Sequence, residues 1–186
     1  VHKGLHLPVF VPAFGIHMVY NALAAVAAAE AAGADPAAAA AALREYKPLA
    51  MRQQRYEANG LTVIDDTYNA SPDSMMGNID VLCSMKATGR RIAVLADMLE
   101  LGDVSVEAHR SVGRRCAQKK VDILYVIGQE AREIAVGAKE LAPEMDCREF
   151  MDNASALASL KETVRAGDIV LVKGSRGMHT DEIVHG

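Results

Sequence analysis

Five short apolar runs, separated by segments with helical spacing, constrain this chain more than any other feature. The runs are Thr62–Asp66, Arg91–Ala96, Asp122–Gly128, Cys147–Met151 and Asp168–Lys173. A continuous apolar run of this length reads as a strand buried on both faces, and strands of that kind alternate with helices in parallel sheets. Helical segments are predicted after Ser71-Pro72-Asp73, over Ser105–Lys119, Ala131–Leu141 and Asn153–Ala166, and after Gly177. Right-handed crossovers between such strands give an α/β fold with a doubly wound, mostly parallel, Rossmann-like sheet.

The first 49 residues follow a different pattern. Leu5–Phe14 is apolar with two prolines and reads as an edge strand or extended segment. A helix is predicted over His17–Ala32, stopped by Gly33, and a second from Asp35-Pro36 to about Tyr46. Both are rich in alanine and bury little surface each, so a segment of this size does not stand alone. The division expected is therefore 1–49 as a helical remnant of another domain and 50–186 as a complete α/β domain. Val1 opening directly into apolar sequence suggests a cut from something longer.

Composition excludes several functions. Apolar residues are 51% of the chain, enough for a core, and the net charge of -4 offers no basic field for a nucleic acid. The alanine-rich stretch Asn21–Leu43 is too weakly apolar, and too interrupted, for a membrane span. The three cysteines are far apart and read as reduced thiols in a cytoplasmic protein. His2 and His6 are four apart, but Gly4 and Pro8 argue against a helical metal pair, and no metal ligands are expected.

In open α/β sheets, ligands gather beyond the carboxyl ends of the strands. Three polar loops occupy that place. Asp65-Asp66-Thr67-Tyr68-Asn69 offers carboxylates for ribose hydroxyls, a ring for a base and an amide that both donates and accepts. Its continuation, Ser71-Pro72-Asp73, is a helix start in any case. Lys173-Gly174-Ser175-Arg176-Gly177 brings cations and close-approaching backbone, suited to a carboxylate or phosphate, but lacks the spacing of a Walker A loop. Asp97-Met98-Leu99-Glu100 could bind an ammonium, or could simply cap and staple the next helix. His109 reads as structural, and Arg52 with Arg55 as either a phosphate-reaching junction or a solvated linker.

Four segments together resemble the Mur ligases of bacterial cell-wall synthesis, above all the branch that adds D-alanyl-D-alanine. They are Gly15–Ala25, Asp65–Met75, Val94–Gly102 and Lys173–Met178. The resemblance covers essentially the whole chain. It implies an ATP-dependent ligase that phosphorylates the terminal carboxylate of UDP-N-acetylmuramoyl-tripeptide and lets the amine of D-Ala-D-Ala attack the acyl phosphate. It implies three domains, of which this chain holds the end of the central ATPase and the whole carboxy-terminal domain. The missing amino-terminal and central domains would carry the Walker lysine and the Mg2+ ligands. No catalytic residue is then expected here, and the fragment alone is expected to be inactive.

By the same resemblance, Asn21 would touch adenine, Arg52 ribose or phosphate, Asp66 the ribose, and Tyr68 and Asn69 the base and its surroundings. Asp97, Met98, Leu99, Glu100, Lys173, Ser175 and Arg176 would flank the D-Ala-D-Ala site, with Lys173 or Arg176 meeting its carboxylate. Met18, Met51 and Ala96 stand where the family usually has Asn, Gly and Gly. The alternatives are another member of the family, or a non-catalytic α/β nucleotide-binding module.

Overall fold

The computed structural model describes Gly4 and residues 6–186. These form two compact units, one ending at Leu49 and one spanning Ala50–Gly186. Val1, His2, Lys3 and Leu5 lie outside the described residues, so the paired-histidine reading and the start of the extended segment are not addressed. Residues 6–14 form no strand.

In the first unit, α1 (Ile16–Ala31) and α2 (Pro36–Ala42) pack on each other. Asp35 caps α2 by accepting the Ala38 N–H at 3.0 Å, with Pro36 at the first helical position. Only Ala22 and Ala40 are buried in the two helices. Such small side chains remove little apolar area from water.

The second unit is a six-stranded sheet in the order β1-β2-β6-β3-β4-β5. The strands are β1 (Gln54–Ala58), β2 (Leu61–Asp66), β3 (Arg91–Ala96), β4 (Ile123–Ile127), β5 (Asp146–Phe150) and β6 (Ile169–Lys173). All neighbours are parallel except β1 and β2. Five strands fall on the five apolar runs. β1 was not foreseen: it is polar and mostly exposed, and forms a hairpin with β2. Asn59 and Gly60 make that turn with φ of 52° and 77°, as a two-residue hairpin requires.

Side chains alternate across the sheet, which explains the two cores. On one face Ile64, Leu95, Leu124 and Leu171 pack under α3 (Pro72–Ser84), α4 (Ser105–Gln118) and α5 (Arg132–Leu141). On the other, Val94, Tyr125 and Val172 pack under α6 (Asn153–Thr163) and α7 (Asp181–His185). The sheet is thus doubly wound. The long loop-closing pair β2–β6 aligns Asp66 with Lys173, two residues far apart in sequence, at adjacent strand ends.

Candidate functional site

Asp65 and Asp66 end β2 and point to opposite faces. Asp65 turns its Oδ1 back to the Thr67 N–H and hydroxyl, at 3.1 and 2.7 Å. Its Oδ2 is buried and has no partner among the described residues. Asp66 is the hub of the loop. Its Oδ1 accepts the Gln53 N–H at 3.0 Å, and its Oδ2 accepts from Asn78 Nδ2 at 3.0 Å and from the Lys173 ammonium. Asn78, on α3, accepts from Gln53 Nε2 at 3.0 Å and donates to the Ser74 carbonyl at 2.9 Å. Ser71 starts α3 with a reciprocal cap to Ser74. The loop between Asp66 and that cap is therefore pinned at both ends, leaving Tyr68 and Asn69 exposed.

Lys173 is 1% exposed. Its ammonium pairs with Asp66 and donates to the Asn69 carbonyl at 2.8 Å. Burial pushes its pKa below the ordinary lysine value, against the pull of the adjacent Asp66 carboxylate. By the resemblance Lys173 would flank the dipeptide site; the structure groups its ammonium with Asp66 and Asn69.

The turn Met51–Gln53 lies against this loop. Met51 and Gln53 both have left-handed backbone, with φ of 61° and 49°. For residues other than glycine this conformation costs about 1–2 kcal/mol each, so contacts must hold it. They are visible: the Tyr68 N–H donates to the Met51 carbonyl at 3.1 Å, the Met51 N–H to Gln54 Oε1 at 3.3 Å, and the Gln53 N–H to Asp66. Arg52 lies over the Tyr68 ring at 4.2 Å from its centroid, a cation–π contact. Arg52 and Tyr68, expected as nucleotide ligands, thus form one exposed stacking surface.

The second group forms around the ends of β3 and β6. Asp97 is buried and its Oδ1 accepts the Ala131 N–H at 2.6 Å, at the start of α5. Its carbonyl accepts the Ser175 N–H at 3.1 Å, and Ser175 Oγ accepts the Leu99 N–H at 2.9 Å. Those two bonds join the loops after β3 and β6. Met98, which by the resemblance would flank the dipeptide site, does not face a ligand with its side chain. Its side chain is fully buried in the core, and its N–H donates to His109 Nε2 at 3.0 Å. The other ring nitrogen of His109 then carries the proton and meets the Ser105 carbonyl at 2.8 Å. Buried on both sides, His109 has the structural role read for it.

Leu99, Glu100 and Arg176 remain exposed. Arg176 Nη1 lies 3.2 Å from Met51 Sδ and 3.7 Å from Asp181 Oδ1. Next to it opens a cleft of about 320 Å³, lined by Ile127, Asp152, Asn153, Gly177, Met178 and Glu182. Asn153 donates to the Met178 and His179 carbonyls and to Glu182, while its Oδ1 has no partner among the described residues.

Asn21 sits exposed on α1, its Nδ2 3.6 Å from Met18 Sδ. Gln53, Asn78 and Asn153 were missed by sequence reasoning. An amide one helical turn after the cap residue Ser74 was the available signal for Asn78, whose side chain reaches back toward the strand end. Among the described residues no three His, Cys, Asp or Glu side chains gather to hold a metal ion. Nor is any helix there long and apolar enough to cross a membrane.

Residues 51–176 match the family model of the Mur ligase glutamate ligase domain. The chain is 37% identical, over 98% of its length, to the UDP-N-acetylmuramoyl-tripeptide–D-alanyl-D-alanine ligase of Bacillus subtilis, of which it covers 40%. It is 35% identical, over 87% of its length, to the ligase of the same name from Mycobacterium tuberculosis H37Rv, of which it covers 36%. Among solved structures, MurF from Acinetobacter baumannii superposes with a TM-score of 0.85 at 31% identity, covering 95% of this chain and 38% of that one. MurF from Thermotoga maritima in complex with ADP gives 0.75 at 26% identity, covering 92% and 38%. The chain thus spans about two fifths of the length of these curated relatives.

Proposed function

The chain belongs to the Mur ligase family, and from that membership we propose that it is the carboxy-terminal part of an ATP-dependent ligase joining D-Ala-D-Ala to UDP-N-acetylmuramoyl-tripeptide. Residues 1–49 are then the end of the central ATP-binding domain, and 50–186 the domain that closes on the nucleotide and brings the dipeptide. That reading places the reaction in the cytoplasm.

One observation carries the assignment of the site. The loop after β2 and the loop after β6 meet the same residue, Met51, through the Tyr68 N–H and the Arg176 guanidinium. A nucleotide-facing surface and a carboxylate-seeking cation are therefore held side by side. In the nucleotide half, Tyr68 and Arg52 offer a flat stacking face for a base or ribose, with Asn69 following Tyr68 in the same exposed loop. Asp66 has about four acceptor directions and three are filled, so one on Oδ1 is left for a ribose hydroxyl. In the dipeptide half, Arg176 is the exposed cation for a terminal carboxylate, in the planar geometry that suits one. Asn153 Oδ1 and Glu182, in the adjoining cleft, are acceptors for its ammonium. Asp97 and Ser175 hold the loop that carries Leu99 and Glu100, and Met98 takes part through its backbone alone.

ATP supplies the phosphoryl group that activates the tripeptide carboxylate. The residues here do not fit a Mg2+ site, since Asp66 is already engaged and no ligand cluster exists among the described residues. The metal's ligands would then belong to the rest of the ligase. The contribution of this chain is binding and alignment, the larger part of catalysis where charge and position dominate.

Nuclear magnetic resonance titration of the chain tests this directly. ADP should shift the amides of Gln53, Tyr68 and Asn69, and D-Ala-D-Ala those of Leu99, Gly177 and Asn153, both at millimolar concentrations because the phosphate cradle is elsewhere. Shifts from D-Ala-D-Ala centred on Tyr68, or from neither ligand at saturating concentration, would reject the assignment. The chain alone should form no product from the three substrates.

A further inference from the structure

We infer that Lys173 is a positioning residue for the nucleotide half of the site, acting through Asp66 and the Asn69 carbonyl, and that it does not bind the dipeptide carboxylate. This rests on the ligase reading above. The side chain is 1% exposed, and two of its three donors are taken by Asp66 and Asn69. To reach a substrate carboxylate, the ammonium would have to leave Asp66, stranding a buried carboxylate without its counter-charge. Breaking a buried pair in that way is strongly unfavourable. Arg176, exposed and held among the described residues by Met51 Sδ and a distant Asp181, meets no such barrier.

What Lys173 does hold is specific. By fixing Asp66 Oδ2 together with Asn78, it aims Asp66 Oδ1 at the Gln53 N–H. That bond helps keep Gln53 left-handed, and so keeps Arg52 over Tyr68. By holding the Asn69 carbonyl, it fixes the far side of the same loop. Tyr68 lies between the two anchors, with its N–H on Met51. One buried cation therefore sets both the free acceptor direction of Asp66 and the pose of the stacking surface, with Gln53 and Asn78 as its relays.

The test uses Lys173→Met, which keeps an unbranched apolar stem one atom shorter and removes the ammonium, and Asp66→Asn/Lys173→Met, which removes both charges and so spares the fold an unpaired carboxylate. In the 186-residue chain, hydrogen exchange at the Gln53 and Tyr68 amides should quicken at least about tenfold in both variants if the latch is real. Unchanged protection would overturn the inference. In the ligase polypeptide that carries this chain, Lys173→Met should raise KM for ATP about tenfold and leave KM for D-Ala-D-Ala within about twofold. The double variant, which also alters the proposed ribose acceptor, should likewise leave KM for D-Ala-D-Ala within about twofold. A rise confined to KM for D-Ala-D-Ala in either variant would overturn it. Failure of the ligase reading is separable: the unaltered polypeptide would then show no D-Ala-D-Ala-dependent turnover, while the exchange result would still stand on its own.

Discussion

Replacing Gly128 by alanine should unseat Asp97, and the size of the effect can be worked out from the structure. Gly128 follows β4 with φ of 115°, and a Cβ there would lie 2.4 Å from Asp97 Cγ, 2.4 Å from Oδ1 and 2.5 Å from Oδ2. The backbone conformation alone costs a side-chain-bearing residue about 1–2 kcal/mol. The carboxylate must also move, which breaks its bond to the Ala131 N–H; a hydrogen bond to a charged group contributes about 1.5–3 kcal/mol. Together Gly128→Ala should cost roughly 3–5 kcal/mol. In urea, followed by far-ultraviolet circular dichroism, that is a midpoint shift of roughly 1.5–2.5 M at a slope of about 2 kcal/mol/M. The three atoms nearest that Cβ all belong to Asp97. In an Asp97→Ala background the same glycine change should therefore cost only the backbone part, about 1–2 kcal/mol. A cost below about 1 kcal/mol, or an equal cost in both backgrounds, would refute the reasoning.

Other consequences can be measured on the same chain. Asp168 accepts from the Arg90 N–H at 2.8 Å, the Arg165 N–H at 2.9 Å and the Arg90 guanidinium at 2.6 Å. Burial would raise its pKa, but the Arg90 side chain and these N–H groups hold it below the ordinary carboxylate value. A lowered folded pKa gives stability that is complete above the unfolded pKa of about 3.9 and is lost as pH falls through the folded one. Asp168→Asn should thus cost about 2 kcal/mol at pH 7, and the gap to the unaltered chain should narrow only below about pH 4; a gap constant down to pH 2 would contradict this. Burial, with Cys83 and Cys147 nearby, drives the Cys116 thiol far above its ordinary range. Iodoacetamide at pH 8 should therefore label Cys116 last and at the rate of unfolding, and labelling as fast as for half-buried Cys147 would refute it.

The fold was legible where both faces of a strand are buried. Ile92 to Ala96 and Ile169 to Val172 have no polar side to hide, so their runs are continuous and easily read. β1 was missed for the opposite reason. Gln54–Ala58 is an edge strand with one row of backbone groups paired and most side chains in water, and only the Asn59-Gly60 turn betrayed it. Of the two readings open for residues 6–14, edge strand or extended segment, the strand is not formed, since apolar residues with two prolines do not require one. In the site, the loops could be found by composition, but not the partners within them. Asp66 and Lys173 are joined by the β2–β6 register, which depends on the crossover through α6 and so on the whole domain. Met98 sits in a polar loop, yet its side chain joins the core while its N–H meets His109, eleven positions on, a partner that sequence spacing does not reveal.

The central claim is that these loops serve a ligase whose incoming amine is D-Ala-D-Ala. Its most direct test is phosphate release from ATP by the ligase polypeptide that carries this chain, with UDP-N-acetylmuramoyl-tripeptide present and D-Ala-D-Ala either added or withheld. Release that requires all three substrates, with a nucleotide-pentapeptide product confirmed by mass, is the predicted result. Release indifferent to D-Ala-D-Ala, or a product extended by a single amino acid, would contradict it.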